Sequence, residues 1–210
     1  MTVEAATGDT VEVKTQDWKS LIGKVLALRD DPRNAGTIAG FRAGISPSSE
    51  TFAMGYTDRF LSDLSPIQRS AARRAAAICA SNPRVRQPAA PAGEKATYRP
   101  LGHSLRDLVK RETKGYPSPD SPNAITMQVN SLPLVDAETA ATILGLLVSR
   151  CAEHNIAVNY YDLTRTLIYW GNGISESSQR ARRSVITAFY EVPESTSKKT
   201  NPKNSSTETE

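Results

Sequence analysis

The feature that most constrains the fold is a helical repeat of apolar residues that runs through most of the chain. Apolar residues recur at intervals of three and four in one segment after another, and no convincing alternation of period two accompanies them. A period of 3.6 places such residues on one face of an α-helix. We therefore predict an all-α fold.

Capping residues, proline and glycine predict where several helices begin and end. Asp17 and Ser65 are suited to cap helices, and Pro66 fits the first position of the second one. Gly171 and Gly173 are expected to stop a helix of the C-terminal half. The predicted helices cover about 18–28, 32–43, 65–79, 101–111, 136–154, 160–170 and 176–190.

Two of these helices carry predictions about burial. In 65–79, the apolar stripe that begins at Ile67 is expected to face the core, with Arg69 and Arg73 on the outward face. Segment 136–154 is apolar almost all round, which is typical of a helix at the centre of a bundle.

Breaks in composition divide the chain into two helical bundles joined by a proline-rich loop. The stretch from Asn82 to Pro100 holds four of the 13 prolines, which interrupt any helical pattern. Both ends are polar and have too few apolar residues to repay the entropy of ordering. The predicted parts are a flexible tail at 1–16, a bundle at 17–82, a linker at 83–99, a second bundle at 100–191 and a disordered tail at 192–210.

The predicted folded part is strongly basic. Residues 18–190 contain 22 Lys and Arg against 14 Asp and Glu, and 17 of the basic residues are arginine. Arginine favours planar, bidentate contacts with phosphate, although pairing with surface acids is the alternative. In the last helix, Arg180 and Arg183 lie opposite the apolar stripe, whereas Arg182 falls within it and is expected to pair with a buried acid.

The sequence offers no constellation that supports catalysis. The two histidines, His103 and His154, have no metal-ligand spacing, no Ser-His-Asp order and no phosphate-binding loop beside them. Cys79 and Cys151 sit in apolar patterns and are expected to be buried thiols. The apolar run at 143–148, which includes one glycine, is far too short to span a membrane, and the polar N-terminus argues against a secretory signal. We expect a soluble, cytoplasmic, non-catalytic protein without cofactor or metal.

Three segments together resemble a known family. They are NAGTIAGFRAG at 34–44, PLGHSLRDL at 100–108, and NYYDLTRTLIYWGNG at 159–173, the last followed by RARRSVITAFY at 180–190. In this order they resemble CasB, the small-subunit family of the type I-E CRISPR surveillance complex Cascade. The resemblance covers roughly residues 18–191.

The resemblance implies a non-catalytic subunit of an antiviral ribonucleoprotein complex. Two copies would lie along the backbone of guide-RNA-binding subunits, near the large subunit, and steady the guide RNA, the target strand and the displaced DNA strand of the R-loop. Nucleic-acid backbone would be bound without sequence specificity. The implied contact residues are Arg42, Arg165, Arg180 and Arg183, with Lys110, Arg111 and Lys114 as substitutes where the helix NAITMQVN lacks the family's arginines.

Two other classes of protein remain open at this point. A helix-turn-helix transcription regulator would suit an all-helical basic chain, and 65–80 is the segment that would serve as its recognition helix. A helical adaptor whose basic face meets an acidic protein is the other alternative.

Overall fold

The computed structural model of the protein describes residues 17–88, 98–120 and 122–191. The predictions for the tails at 1–16 and 192–210, and for much of the linker at 83–99, lie outside these residues. The described part is helical and has no β-strand, which confirms the all-α prediction.

Nine α-helices, together with four short 3-10 segments, make up the regular structure of the described residues. The α-helices are α1 (Trp18–Leu28), α2 (Ala35–Arg42), α3 (Glu50–Thr57), α4 (Pro66–Ser81), α5 (Leu101–Thr113), α6 (Ala124–Ser131), α7 (Ala137–Glu153), α8 (Tyr160–Ile168) and α9 (Glu176–Tyr190).

The predicted capping residues and glycines lie at the helix ends that they were expected to mark. Asp17 accepts a hydrogen bond from the Ser20 amide at 2.9 Å, and Ser65 forms a capping box with Gln68 at the start of α4. Gly171 and Gly173, which follow α8, adopt positive φ angles of 51° and 82°. A residue with a Cβ would be strained in that conformation, so glycine ends the helix there.

The central helix is α4, and the prediction that 136–154 occupies the centre is wrong. All residues from Ala71 to Ala80 are buried, because α4 is surrounded by α1, α2, α7 and α8. The small alanine side chains let these neighbours approach closely. By contrast, α7 leaves one face exposed, including Leu146.

Two side chains of α4 also lie opposite to their predicted positions. Ile67, expected in the core, is 73% exposed, whereas Arg73, expected on the outward face, is buried. The Arg73 guanidinium lies 2.5 Å from Glu50 and 2.5 Å from Asp58, both supplied by the α3 region. Helix α3 was not predicted, so the predicted arrangement gave Arg73 neither of these partners.

Packing joins the helices of the two predicted bundles. In the described residues α4 contacts both α7 and α8, and one apolar cluster includes residues of both halves, from Leu21 to Phe189. The division at 83–99 therefore stays a prediction about the chain, while the core itself is continuous.

Gly102 allows α5 and α9 to cross in close contact. A Cβ at this position would lie 2.4 Å from the Val185 carbonyl oxygen and 2.6 Å from the Phe189 amide nitrogen. Both atoms belong to the backbone of α9, which cannot move aside cheaply. Glycine at this position thus fixes how closely α9 approaches α5.

Replacing Gly102 with alanine should destabilise the protein by about 2 kcal/mol, because overpacking pushes α9 away from α5. Thermal unfolding followed by circular dichroism measures this loss. Gly55→Ala in α3 is the matched control, since a Cβ there meets nothing within 4 Å. The control should be neutral or slightly stabilising. Equal melting temperatures for Gly102→Ala and the wild type would contradict the close-contact argument.

Candidate nucleic-acid interface

An open groove between α8 and α9 brings together three arginines of the C-terminal half, Arg165, Arg180 and Arg183. It has two adjoining parts of about 470 Å³ and 320 Å³, and both Arg165 and Arg180 line each part. We call it the α8–α9 groove. Its charged and aromatic lining residues are Tyr98, Asp162, Arg165, Tyr169, Glu176, Arg180, Arg183 and Glu191.

The amphipathic pattern of α9 places two of these arginines on the groove. Ser175 caps the helix by accepting a hydrogen bond from the Ser178 amide. Val185 and Phe189 then turn inward and are buried, while Arg180 and Arg183 are exposed. A rotation of 100° per residue produces this separation, which confirms the predicted faces of the helix.

A buried carboxylate holds the third arginine in place. Asp162 accepts hydrogen bonds from the Leu101 amide at 2.7 Å and from the Arg165 guanidinium at 2.8 Å, and it also accepts one from the Tyr98 hydroxyl. The Arg165 guanidinium lies 5.2 Å from the centre of the Tyr98 ring. Asp162 thus ties the start of α5 to α8 and fixes the direction of Arg165.

The Tyr98 hydroxyl is a permanent donor in this cluster. Partial burial, together with its hydrogen bond to the Asp162 carboxylate, raises the pKa of Tyr98 to about 12. The phenol therefore stays protonated well above neutral pH, and the ring is held by its hydroxyl.

The three arginines differ in how available their guanidinium groups are to bind an anion. Arg183 bonds the Gln179 side-chain oxygen at 2.9 Å and has no acidic partner among the described residues. Arg180 pairs with Glu176 one turn earlier, and both side chains are exposed, so water competes with this pair. Arg165 shares the buried Asp162 and is half-exposed. The outer pair, Arg180 and Arg183, is the more available.

Arg182 is buried, as predicted, but the prediction that it pairs with a buried acid is wrong. Its guanidinium donates to the backbone carbonyls of Pro133 at 2.7 Å, Gly171 at 3.1 Å and Trp170 at 3.2 Å, and it lies over the Trp170 ring. Pro133 belongs to the 3-10 segment Leu132–Leu134, and Trp170 and Gly171 belong to the turn that follows α8, so these backbone acceptors lack helical partners. Arg182 is thus a structural cap.

The other predicted contact residues lie away from the α8–α9 groove. Arg42, on α2, donates from Nε to the Ala80 carbonyl at 3.1 Å and leaves the rest of its side chain exposed. Lys110, Arg111 and Lys114 cluster at the end of α5, and Lys110 lies over the Tyr116 ring. At 1.5 Å per residue, Lys110 is about 15 Å along α5 from Pro100, the groove residue at its start.

Several of the arginines that make up the basic excess stabilise the fold and are not available on the surface. Arg29, for example, donates to the Val85 carbonyl at 2.6 Å and covers the Tyr160 ring. The largely buried arginine side chains are those of Arg29, Arg73, Arg74, Arg106 and Arg182. The charge excess of the folded part therefore overstates the basic surface.

Sequence reasoning missed Tyr98 and Asp162, which build one side of the groove. Tyr98 lies in the predicted linker, where no periodic pattern assigns it a partner. The spacing of Asp162 three residues before Arg165 was the available signal, since such residues are neighbours on a helix.

Among residues 17–88, 98–120 and 122–191, no group of three or more His, Cys, Asp or Glu side chains could hold a metal ion. Cys79 and Cys151 are free, buried thiols, as predicted, and burial raises the pKa of each to about 12. In the same part of the chain, no helix combines the length and apolar character that crossing a bilayer requires.

Solved structures of three proteins share the fold. The CRISPR-associated Cse2-family protein of Thermus thermophilus is 17% identical, with a TM-score of 0.56 over 80% of this chain and 97% of that one. CasB from Thermobifida fusca is 18% identical, with a TM-score of 0.56 over 83% and 97% of the two chains. CasB from M. ruber is 19% identical, with a TM-score of 0.57 over 83% and 93%.

Sequence comparison assigns the family. No curated protein is significantly similar to the chain in sequence. The family model described as CRISPR-associated protein Cse2 matches residues 39–190, which is well over half of the chain. The matched range contains α4 at the centre of the fold and both helices of the α8–α9 groove. The chain therefore belongs to the Cse2 family, the CasB subunits of the type I-E CRISPR complex Cascade.

Proposed function

We propose that the protein holds nucleic-acid backbone in the α8–α9 groove, without sequence specificity and without catalysis, as part of Cascade. The strands in question are the guide RNA, the target strand and the displaced strand of the R-loop. Its partners would be the guide-RNA-binding backbone subunits, the large subunit and a second copy of itself. Family membership supports the place in CRISPR defence, and the groove supports the contact surface.

The observation that carries the proposal is the convergence of Arg165, Arg180 and Arg183 on one open groove. Three guanidinium groups from two helices can face successive phosphates of one strand. A phosphate that binds Arg180 must displace Glu176, but an exposed pair on one helix face is weak enough for this exchange. Guanidinium contacts to phosphate carry no base information, which suits a complex that reads sequence by base pairing.

Replacing both Arg180 and Arg183 with alanine tests whether the groove binds nucleic acid. Binding of a random single-stranded oligonucleotide, measured by fluorescence anisotropy across a salt series, should weaken at least about tenfold at low salt. The wild type, with four to six phosphate contacts, should show a log-log salt slope of about −3 to −4, and losing two contacts should make it less steep by about 1.4.

The matched control removes the same net charge elsewhere. Lys19 and Arg33 are exposed and lie in the N-terminal half, outside the groove. Alanine at both positions should leave affinity and salt slope close to wild type. If the two double variants bind alike, net charge alone explains binding and the groove is not the contact surface.

The structure does not support the helix-turn-helix alternative, because the segment proposed as its recognition helix is buried. That alternative depended on segment 65–80 entering a DNA groove, and this segment is α4, whose residues from Ala71 to Ala80 are buried. A recognition helix must present side chains to base edges. In the described structure α4 has no free face over those ten residues.

A further inference from the structure

An exposed aromatic residue lines each of the two parts of the α8–α9 groove. Tyr98 is 54% exposed and lines the larger part of the groove, and Tyr169 is 46% exposed and lines the smaller part. Arg165 lines both parts. Its guanidinium covers the Tyr98 ring, and Tyr169, the residue directly after α8, follows Arg165 by four residues, about one helical turn or 6 Å. Each part of the basic groove therefore has one flat apolar surface.

Tyr98 is held in place before any ligand arrives. Its hydroxyl bonds Asp162 and Arg165, and Asp162 is itself anchored to the Leu101 amide. One side of the ring meets the Arg165 guanidinium, and half of the residue surface remains open to solvent. A fixed ring loses little conformational entropy when a flat group stacks on it.

We propose that the α8–α9 groove is a single-strand site in which nucleobases stack on Tyr98 and Tyr169 while the arginines between them hold the phosphates. This inference rests on the proposed function and adds the class of nucleic acid and the residues that select it. Only an unpaired strand can offer its base faces to a side chain, whereas the bases of a duplex are already stacked on one another. The groove would therefore prefer single strands to duplexes at equal phosphate content.

The experiment separates stacking from phosphate contact with an abasic strand. The full chain is titrated with oligo-dT, with oligo-U and with an abasic strand of equal length, and a duplex of half that length, which carries about the same number of phosphates, is the fourth probe. The readout is the ratio of affinities for the strands with and without bases. The wild type should prefer each base-containing strand at least about fivefold for every stacked base, and should bind the duplex more weakly than the single strand.

The variants identify the rings responsible. Tyr98→Leu and Tyr169→Leu should each lower the ratio at least about fivefold, while their affinity for the abasic strand changes little. Tyr98→Phe keeps the ring and loses the hydroxyl, so it should keep the ratio. Tyr116→Leu is the matched control, because Tyr116 is 43% exposed and also lies beside a cation, Lys110, but follows α5 and does not line the groove.

Three results would overturn the inference: a wild-type ratio of one, a Tyr116→Leu loss equal to those of the groove variants, or a Tyr98→Phe loss equal to that of Tyr98→Leu. If the ratio is one while the Arg180 and Arg183 double variant still loses affinity, stacking is wrong and the proposed function stands. If the wild type binds none of the four probes, both fail.

Discussion

Replacing Arg73 with alanine is expected to destabilise the fold by about 3 kcal/mol, which lowers the melting temperature of a chain of this size by roughly 6–12 °C. The Arg73 side chain is 5% exposed, and its main partner, Glu50, is 13% exposed. Removing the guanidinium leaves the Glu50 carboxylate buried without its counter-charge. Asp58 is half-exposed and can turn to water, which keeps the expected loss at the lower end for buried pairs.

Two further variants show whether the loss comes from the unpaired charge. Arg73→Met combined with Glu50→Gln removes both charges and should recover most of the stability, since replacing both partners of a buried pair is often neutral. Arg33→Ala breaks a similar Arg–Asp pair that is exposed, and should leave the melting temperature unchanged. An Arg73→Ala protein that melts like the wild type would show that this ion pair contributes nothing.

Replacing Arg182 with alanine should also cost about 3 kcal/mol, because the Pro133 and Gly171 carbonyls lose their donor and the Trp170 carbonyl keeps only the Ser178 hydroxyl. The affected segments are the 3-10 turn at Pro133 and the turn after α8 at Trp170 and Gly171. The Trp170 ring loses the guanidinium that covers it as well. Affinity for single-stranded nucleic acid should stay near wild type at temperatures where the variant is folded, because Arg182 does not line the groove.

The adjacent residue provides the control for this variant. Arg183→Ala removes an exposed side chain of the same helix, so it should leave the melting temperature unchanged and weaken binding. Paired measurements of melting temperature and affinity on both proteins test the contrast. A loss of binding in folded Arg182→Ala, equal to that in Arg183→Ala, would mean that the two arginines do not divide into a structural and a binding role.

Local signals in the sequence were sufficient to predict most of the helices. The bounds of α9 are those expected from its apolar stripe, and α1 and α4 begin directly after their predicted capping residues, Asp17 and Ser65. The glycine turn after α8 forms where Gly171 and Gly173 predict it. Helix α3 was missed because its eight residues, ETFAMGYT, include a glycine and carry no clear apolar stripe.

The helical class, the helix ends and the faces of α9 follow from local sequence, because caps and a 3.6-residue period act over one or two turns of chain. Which arginines are available for binding depends on the packing of the whole fold. Arg73 meets Glu50 and Asp58 across helices, Arg182 meets carbonyls of two other segments, and Tyr98 meets Arg165 across 67 residues. Such contacts depend on how whole helices pack, and no local pattern specifies them.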